Sequence, residues 1–231
     1  MKQKVHYVII LLLSLSCTSD DKKDHSADMV GRSRQKVTAG KKFDLFNITF
    51  KETFKDVGLH YNKENQSAQT LTGYGTFVSS SPDILIFNHQ LLTGKVDENQ
   101  NQVVLHYSLN KQVISAFEIQ LYTSDALQKV DSILIHTLGQ PGFTNTSSKH
   151  PGLAIDKNGN MMDGPRTEIT YQLWTNKKSG ISYHLLQYRR SEKLLFAELT
   201  AFNDRSNDAD DWASFKNYDR YKKSTKDNNH E

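Results

Sequence analysis

Three runs in the second half of the chain, Thr167–Trp174, Ile181–Tyr188 and Leu194–Phe202, are rich in β-branched and aromatic residues. Only short polar connections, 175–180 and 189–193, separate them. Strands joined so closely pair antiparallel, because a parallel crossover needs a dozen or more residues. In the last run Leu195, Ala197, Leu199 and Ala201 alternate against Leu194, Phe196 and Glu198. An antiparallel meander is therefore the expected foundation of the fold.

Just upstream, Ser124–Leu138 carries Leu127, Val130, Ile133, Leu134 and Leu138 on one helical face. Thr123 or Ser124 is placed to cap its first amides, and Asp125 sits in the first turn. Gly139 suits a left-handed exit, and Pro141 prevents resumption. The polar stretch 142–166 is expected to be a long loop.

In the first half, Leu71–Val78 and Ile84–Leu92 are expected strands, with Pro82 in the turn between them. Val103–Ser108 and Val113–Tyr122 form a hairpin in which Phe117, Ile119 and Leu121 oppose Glu118 and Gln120. That alternation predicts one wet sheet face. A strand or irregular start at 43–50 precedes an expected short helix at 51–58. Trp212, Phe215 and Tyr218 mark a closing helix over Asp208–Lys223.

The sum is an α+β fold: an antiparallel sheet of hairpins and a meander with helices packed on one face. The hairpins Val103–Tyr122 and Ile181–Phe202 look alike, each with a strand histidine, His106 or His184, before its turn. Residues 43–122 and 123–223 are thus expected as two similar helix-plus-meander units within a globular body at 43–223.

The N-terminus is of another kind. Lys2 and Lys4 precede a short apolar run, Val5–Leu15, and then Ser16 and Cys17, the single cysteine in 231 residues. The run falls well short of the ~20 residues that span a bilayer as a helix, and fits a removable export signal. Ser14-Leu15-Ser16-Cys17 resembles the lipobox of bacterial lipoproteins, with Ser14 where leucine is usual, as in looser versions from the Bacteroidetes. That resemblance implies a signal peptide at 1–16, diacylglyceryl and N-acyl (palmitate-type) chains on Cys17, and residence in the cell envelope. An ordinary export signal cut elsewhere is the competing reading. Acidic residues after the cysteine, Asp20 and Asp21, resemble the signal that sends such lipoproteins to the outer membrane surface. Residues 17–42 are almost devoid of apolar side chains and are expected to be a disordered tether, and 224–231 a disordered tail.

The helix ended by Leu138-Gly139-Gln140-Pro141, then a loop, a strand with Trp174 and a hairpin, is similar to SmpA/OmlA-like and β-lactamase-inhibitor-like α/β domains over about 124–202. The formal charge of +3 falls near neutral once Lys2 and Lys4 are removed. Nucleic acid is therefore not an expected partner, since phosphate binding needs concentrated Lys and Arg.

Catalytic motifs are missing from the sequence: no Gly-x-Ser-x-Gly, no His-Glu-x-x-His and no phosphate-binding glycine loop. No catalytic residue, metal ligand or cofactor is assigned. His106 and His184 approach only if their hairpins neighbour each other, and zinc needs a third ligand such as His89. Asp156, Asn158 and Asn160, with Asp163 beyond, put oxygens at alternate positions as a calcium loop does, but Met161 stands where glycine is wanted. Glu118, Glu168 and Glu198 lie on strands as a glycosidase pair does, and Trp174, Tyr183, Tyr188 and Trp212 are candidate sugar platforms. The expected function is a lipid-anchored, non-enzymatic envelope module that offers its sheet to a protein partner. The alternative is a surface glycan-binding or glycan-processing lipoprotein.

Overall fold

A computed structural model describes residues 42–58, 66–67, 73–149, 153–155, 161–163 and 166–219. The expected signal peptide, Cys17, nearly all of the tether, the C-terminal tail and the calcium-like loop at 156–160 lie outside them.

In chain order the strands of the first half are β1 (Gln66–Ser67), β2 (Tyr74–Ser79), β3 (Ile86–Phe87), β4 (Gln90–Leu91), β5 (Lys95–Val96), β6 (Asn99–Gln100), β7 (Gln102–Ser108) and β8 (Ile114–Leu121). Helix α1 (Ser124–Leu138) follows, then β9 (Phe143–Lys149), β10 (Leu153–Ile155), β11 (Met161–Asp163), β12 (Thr167–Asn176), β13 (Ile181–Arg190), β14 (Lys193–Asn203) and α2 (Ala209–Phe215). Eight strands form one antiparallel sheet in the order β1-β2-β7-β8-β14-β13-β12-β9, and the other six make three two-stranded ribbons. The fold is α+β on a meander sheet. The meanders β2-β7-β8 and β12-β13-β14 lie side by side, joined where their last strands pair, with Ile119 opposite Leu199.

The period-two residues determine the faces. Phe117, Ile119, Leu121, Leu185, Ala197 and Leu199 point into the larger buried cluster, with Leu127, Val130 and Leu134 of α1 against them. Each of these side chains except Ala197 contributes roughly 1.5–3 kcal/mol of burial free energy. The opposite face carries a second cluster, in which Trp212 and Tyr218 cover Ala116, Tyr171, Leu186 and Phe202. This corrects two expectations. The helices do not share one face, and the face bearing Glu118 is not wet: Glu118 retains 4% exposure. The closing segment supplies the cover that the alternation of β8 alone cannot reveal.

Helix α1 spans the expected bounds. Gly139 exits at φ 85, its amide donating to the Ile135 carbonyl at 3.0 Å, and its own carbonyl accepts from Trp174 Nε1 at 3.0 Å. Thr123 occupies the N-cap but makes no side-chain cap; its Oγ1 accepts from Asn101 Nδ2 at 2.8 Å instead. The expected helix at 51–58 is a run of turns, preceded by a 3₁₀ turn at Leu45–Asn47. The expected strand Ile84–Leu92 is a tight hairpin, turning at Asn88 (φ 45) and His89 (φ 64). Asp44 holds that turn: its carboxylate accepts from the amides of Asn88 and His89, both at 2.7 Å. The expected loop 142–166 begins as a strand, β9, at the end of the sheet. Helix α2 ends at Phe215, where Asn217 takes φ 54 and breaks the turn; Tyr218 and Asp219 are helical again, and the rest of the expected helix, to Lys223, lies outside the described residues.

Candidate functional site

Strands β7, β8, β14 and β13 run side by side, and the inward residues of their second face form a polar row beneath α2. His106 of β7 sits opposite Ala116, one step along the same face from Glu118. Its Nε2 is 2.6 Å from Glu118 Oε1. Glu118 stands opposite Thr200, and Glu198 lies two residues before Thr200 on the same face of β14. Thr200 Oγ1 donates to Glu198 Oε1 at 3.3 Å.

Lys216, one turn past Trp212, reaches down between the two carboxylates. Its Nζ is 2.7 Å from Glu118 Oε1 and 3.0 Å from Glu198 Oε1. All three side chains are largely sealed, Glu118 at 6% exposure and Lys216 and Glu198 each at 14%. Trp212 lies against the His106 ring at 4.8 Å between centroids. Tyr218 stacks on His184 at 4.1 Å and 9°, and the other side of the row is closed by Phe202, stacked on His184 at 4.9 Å. His184 Nδ1 meets the Tyr171 hydroxyl at 2.8 Å.

The two carboxyl groups are pushed apart electrically. Burial acts to raise the pKa of Glu118, but the His106 hydrogen bond and the Lys216 charge outweigh it and bring the group down to about 2. Burial, and then the Glu118 charge, raise Glu198. Burial and the Glu198 charge also push the Tyr218 hydroxyl up. A split carboxyl pair is what acid–base catalysis uses. Here, however, the Lys216 ammonium occupies the space between the two acids. A retaining glycosidase keeps its carboxyls ~5 Å apart around a sugar; this pair closes around a lysine. The arrangement is an electrostatic clamp that fastens the C-terminal segment to the sheet.

The structure thus unites residues singled out from the sequence, His106, His184, Glu118, Glu198 and Trp212, with Tyr218, read there only as part of the closing helix, and adds Lys216, which was missed. Lys216 was legible in one respect: it follows Trp212 at i+4, the spacing of one helix face. Glu168 is elsewhere, opposite Arg189 and exposed near the sheet edge. His106 and His184 share a face but have separate partners, and His89 lies by Asp44 at 3.3 Å. Among the described residues no three His, Cys, Asp or Glu side chains are grouped to hold a metal ion. Trp174, Tyr183 and Trp212 are each at most 1% exposed, and Tyr188 is half-buried.

No protein-family model matches the chain, and neither does any curated protein sequence.

Proposed function

We propose that this chain is a lipid-anchored envelope module, tethered through Cys17, that binds another envelope protein by adding a partner strand to the edge of its sheet. The observation that carries this is β9. Among the described residues it pairs only with β12, through seven residue pairs, and no other described strand lies along its outer side. Its residues Phe-Thr-Asn-Thr-Ser-Ser-Lys contain no proline and a single charge. Natural edge strands are usually blunted by just those devices, and an open edge is a site for strand addition. Both faces over the sheet's centre already carry buried clusters, so the edge is better placed than a face to receive a partner. The sealed clamp at Glu118, Glu198 and Lys216 fits a binding rather than a catalytic role.

Less supports the alternative, glycan recognition beside paired acids: Trp174, Tyr183 and Trp212 are buried, the acids enclose a lysine, and of the candidate platforms Tyr188 alone is half-buried.

A photo-crosslinking residue at Ser147, exposed on β9, tests the edge directly. In cells, one discrete adduct is expected from position 147 and none from exposed Leu195 as control. No adduct at 147, or the same adducts at both positions, would remove the reading.

A further inference from the structure

The segment after β14 lies across the second face of the sheet without joining its ladder. Among the described residues every backbone hydrogen bond of 209–219 stays within 206–219. Ala209 N donates to the Ser206 carbonyl, Trp212 N to Asp208, Lys216 N to Trp212 and Asn217 N to Ser214. Side chains alone therefore hold this segment to the strands, chiefly the Lys216 ammonium and the Trp212 and Tyr218 rings. Helix α2 has seven residues, and an isolated helix shorter than ~12–15 residues is marginal in water. It forms where it is docked.

The face beneath is organised without it. The bonds between His106 and Glu118, Thr200 and Glu198, and Tyr171 and His184 are all made by strand residues. Lys216 is the one Lys or Arg among the described residues in contact with either carboxylate. Lifting the segment leaves an acidic pair among the rings of Phe202, His184 and Tyr171. That seat is complementary to a cation flanked by aromatic groups.

The docked contact also leaves hydrogen bonds unmade. His106 Nδ1 and Trp212 Nε1 are buried where the two rings meet, and neither has a hydrogen-bond partner among the described residues. Buried polar atoms left in this way work against docking. A segment with no ladder bonds and an imperfect fit is expected to open ahead of the sheet it covers.

We propose that 209–219 is a displaceable lid, and that its seat receives a partner segment of the same chemistry: a lysine with aromatic residues four before and two after it, as Trp212 and Tyr218 flank Lys216. The seat uses neither Cys17 nor β9, so this proposal and the edge-strand reading stand or fall separately.

Fluorescence anisotropy of a labelled synthetic peptide carrying residues 208–219, added to the full chain in detergent, is the test. A tethered lid competes at an effective concentration of roughly 1 mM, so the parent chain is expected to bind the peptide with an apparent Kd of about 1 mM or weaker. Lys216→Met and Trp212→Ala both weaken the lid and leave the seat intact. Each variant is expected to bind the peptide at least about tenfold more tightly than the parent chain does. The same peptide with Lys216→Met is expected to bind those variants at least about tenfold more weakly, because the acidic pair is then left without its cation. If one variant fails to fold, the other decides. No binding to a folded variant overturns the proposal, as does equal affinity for parent and variant or for the two peptides. Loss of cooperative urea unfolding in both variants overturns it too, since a lid leaves a folded sheet behind.

Discussion

Lys216 Nζ lies 2.7 Å from Glu118 Oε1, a contact that joins the segment after α2 to the middle of a β-strand nearly a hundred residues earlier. Each charge is inside the protein, so its solvation comes from its neighbours: Glu118 from Lys216 and His106, Lys216 from Glu118 and Glu198.

Removing one partner therefore costs more than the bond is worth. Lys216→Met leaves Glu118 ionised, buried and facing Glu198. Breaking a buried pair in this way destabilises by about 3–5 kcal/mol. Urea unfolding at neutral pH measures it, and a loss under about 0.5 kcal/mol would show that the clamp carries no load. The triple variant Glu118→Gln, Glu198→Gln, Lys216→Met is expected to recover most of the loss.

The two acids respond to pH with opposite signs. Glu118 falls from the ordinary 4.5 to about 2 on folding. Its contribution, on the order of 3 kcal/mol, is present above the ordinary carboxylate range and is lost as the pH drops toward 2. Glu198 is raised on folding, so its contribution is complete below its unfolded pKa and disappears as the pH climbs through its folded one. Relative to the parent chain, Glu198→Gln should gain stability as the pH rises from 4, then level off. Glu118→Gln should flatten the acid limb. Unfolding midpoints collected across pH decide both, and parallel profiles for parent and variants would contradict them.

Gly75 of β2 stands opposite Tyr107 of β7. A Cβ at Gly75 would come within 2.5 Å of the Tyr107 ring, and Tyr107 is 1% exposed with no room to retreat. Gly75→Ala is expected to cost about 1–3 kcal/mol through overpacking. An unchanged thermal midpoint would mean that the strands are spaced more widely than described.

Asp44 accepts three backbone amides, those of Phe46, Asn88 and His89. Asp44→Ala removes all three acceptors and leaves a turn with two positive-φ residues unsupported. The expected loss is about 1–3 kcal/mol, with hydrogen exchange at Asn88 and His89 accelerated. Protection unchanged at those two amides would argue against the role.

For the proposed anchor, Cys17→Ser is expected to shift the protein from the membrane fraction to the soluble one, since two acyl chains hold a protein where one holds only marginally. Detergent partitioning and the intact mass of the mature chain report it; a parent chain with no added lipid mass would end the lipoprotein reading.

Legibility in the sequence followed the strength of the period. β12, β13, β14 and α1 were readable because apolar residues recur at two or at three and four along them. β9 was not, because Phe143 is its single large apolar residue and an edge strand needs no second buried side chain. The hairpin at Asn88-His89 was hidden for another reason. Its turn lacks the glycine that normally signals positive φ, and the support comes from Asp44, more than forty residues away. Glu118 was read as solvated because alternation reports which residues oppose one another, not what lies above them. Its cover comes from Trp212, Lys216 and Tyr218, at the far end of the chain.

The pairing of β8 with β14 has one more consequence, this time for how the protein is made. Residue 119 waits for residue 199, so the seam between the halves cannot zip until almost all of the polypeptide is available. Such distant pairings slow folding. Until β14 arrives, β8 is a raw edge of a half-finished sheet, vulnerable to the wrong neighbour. A chain built this way stays open for most of its synthesis and locks only at the end.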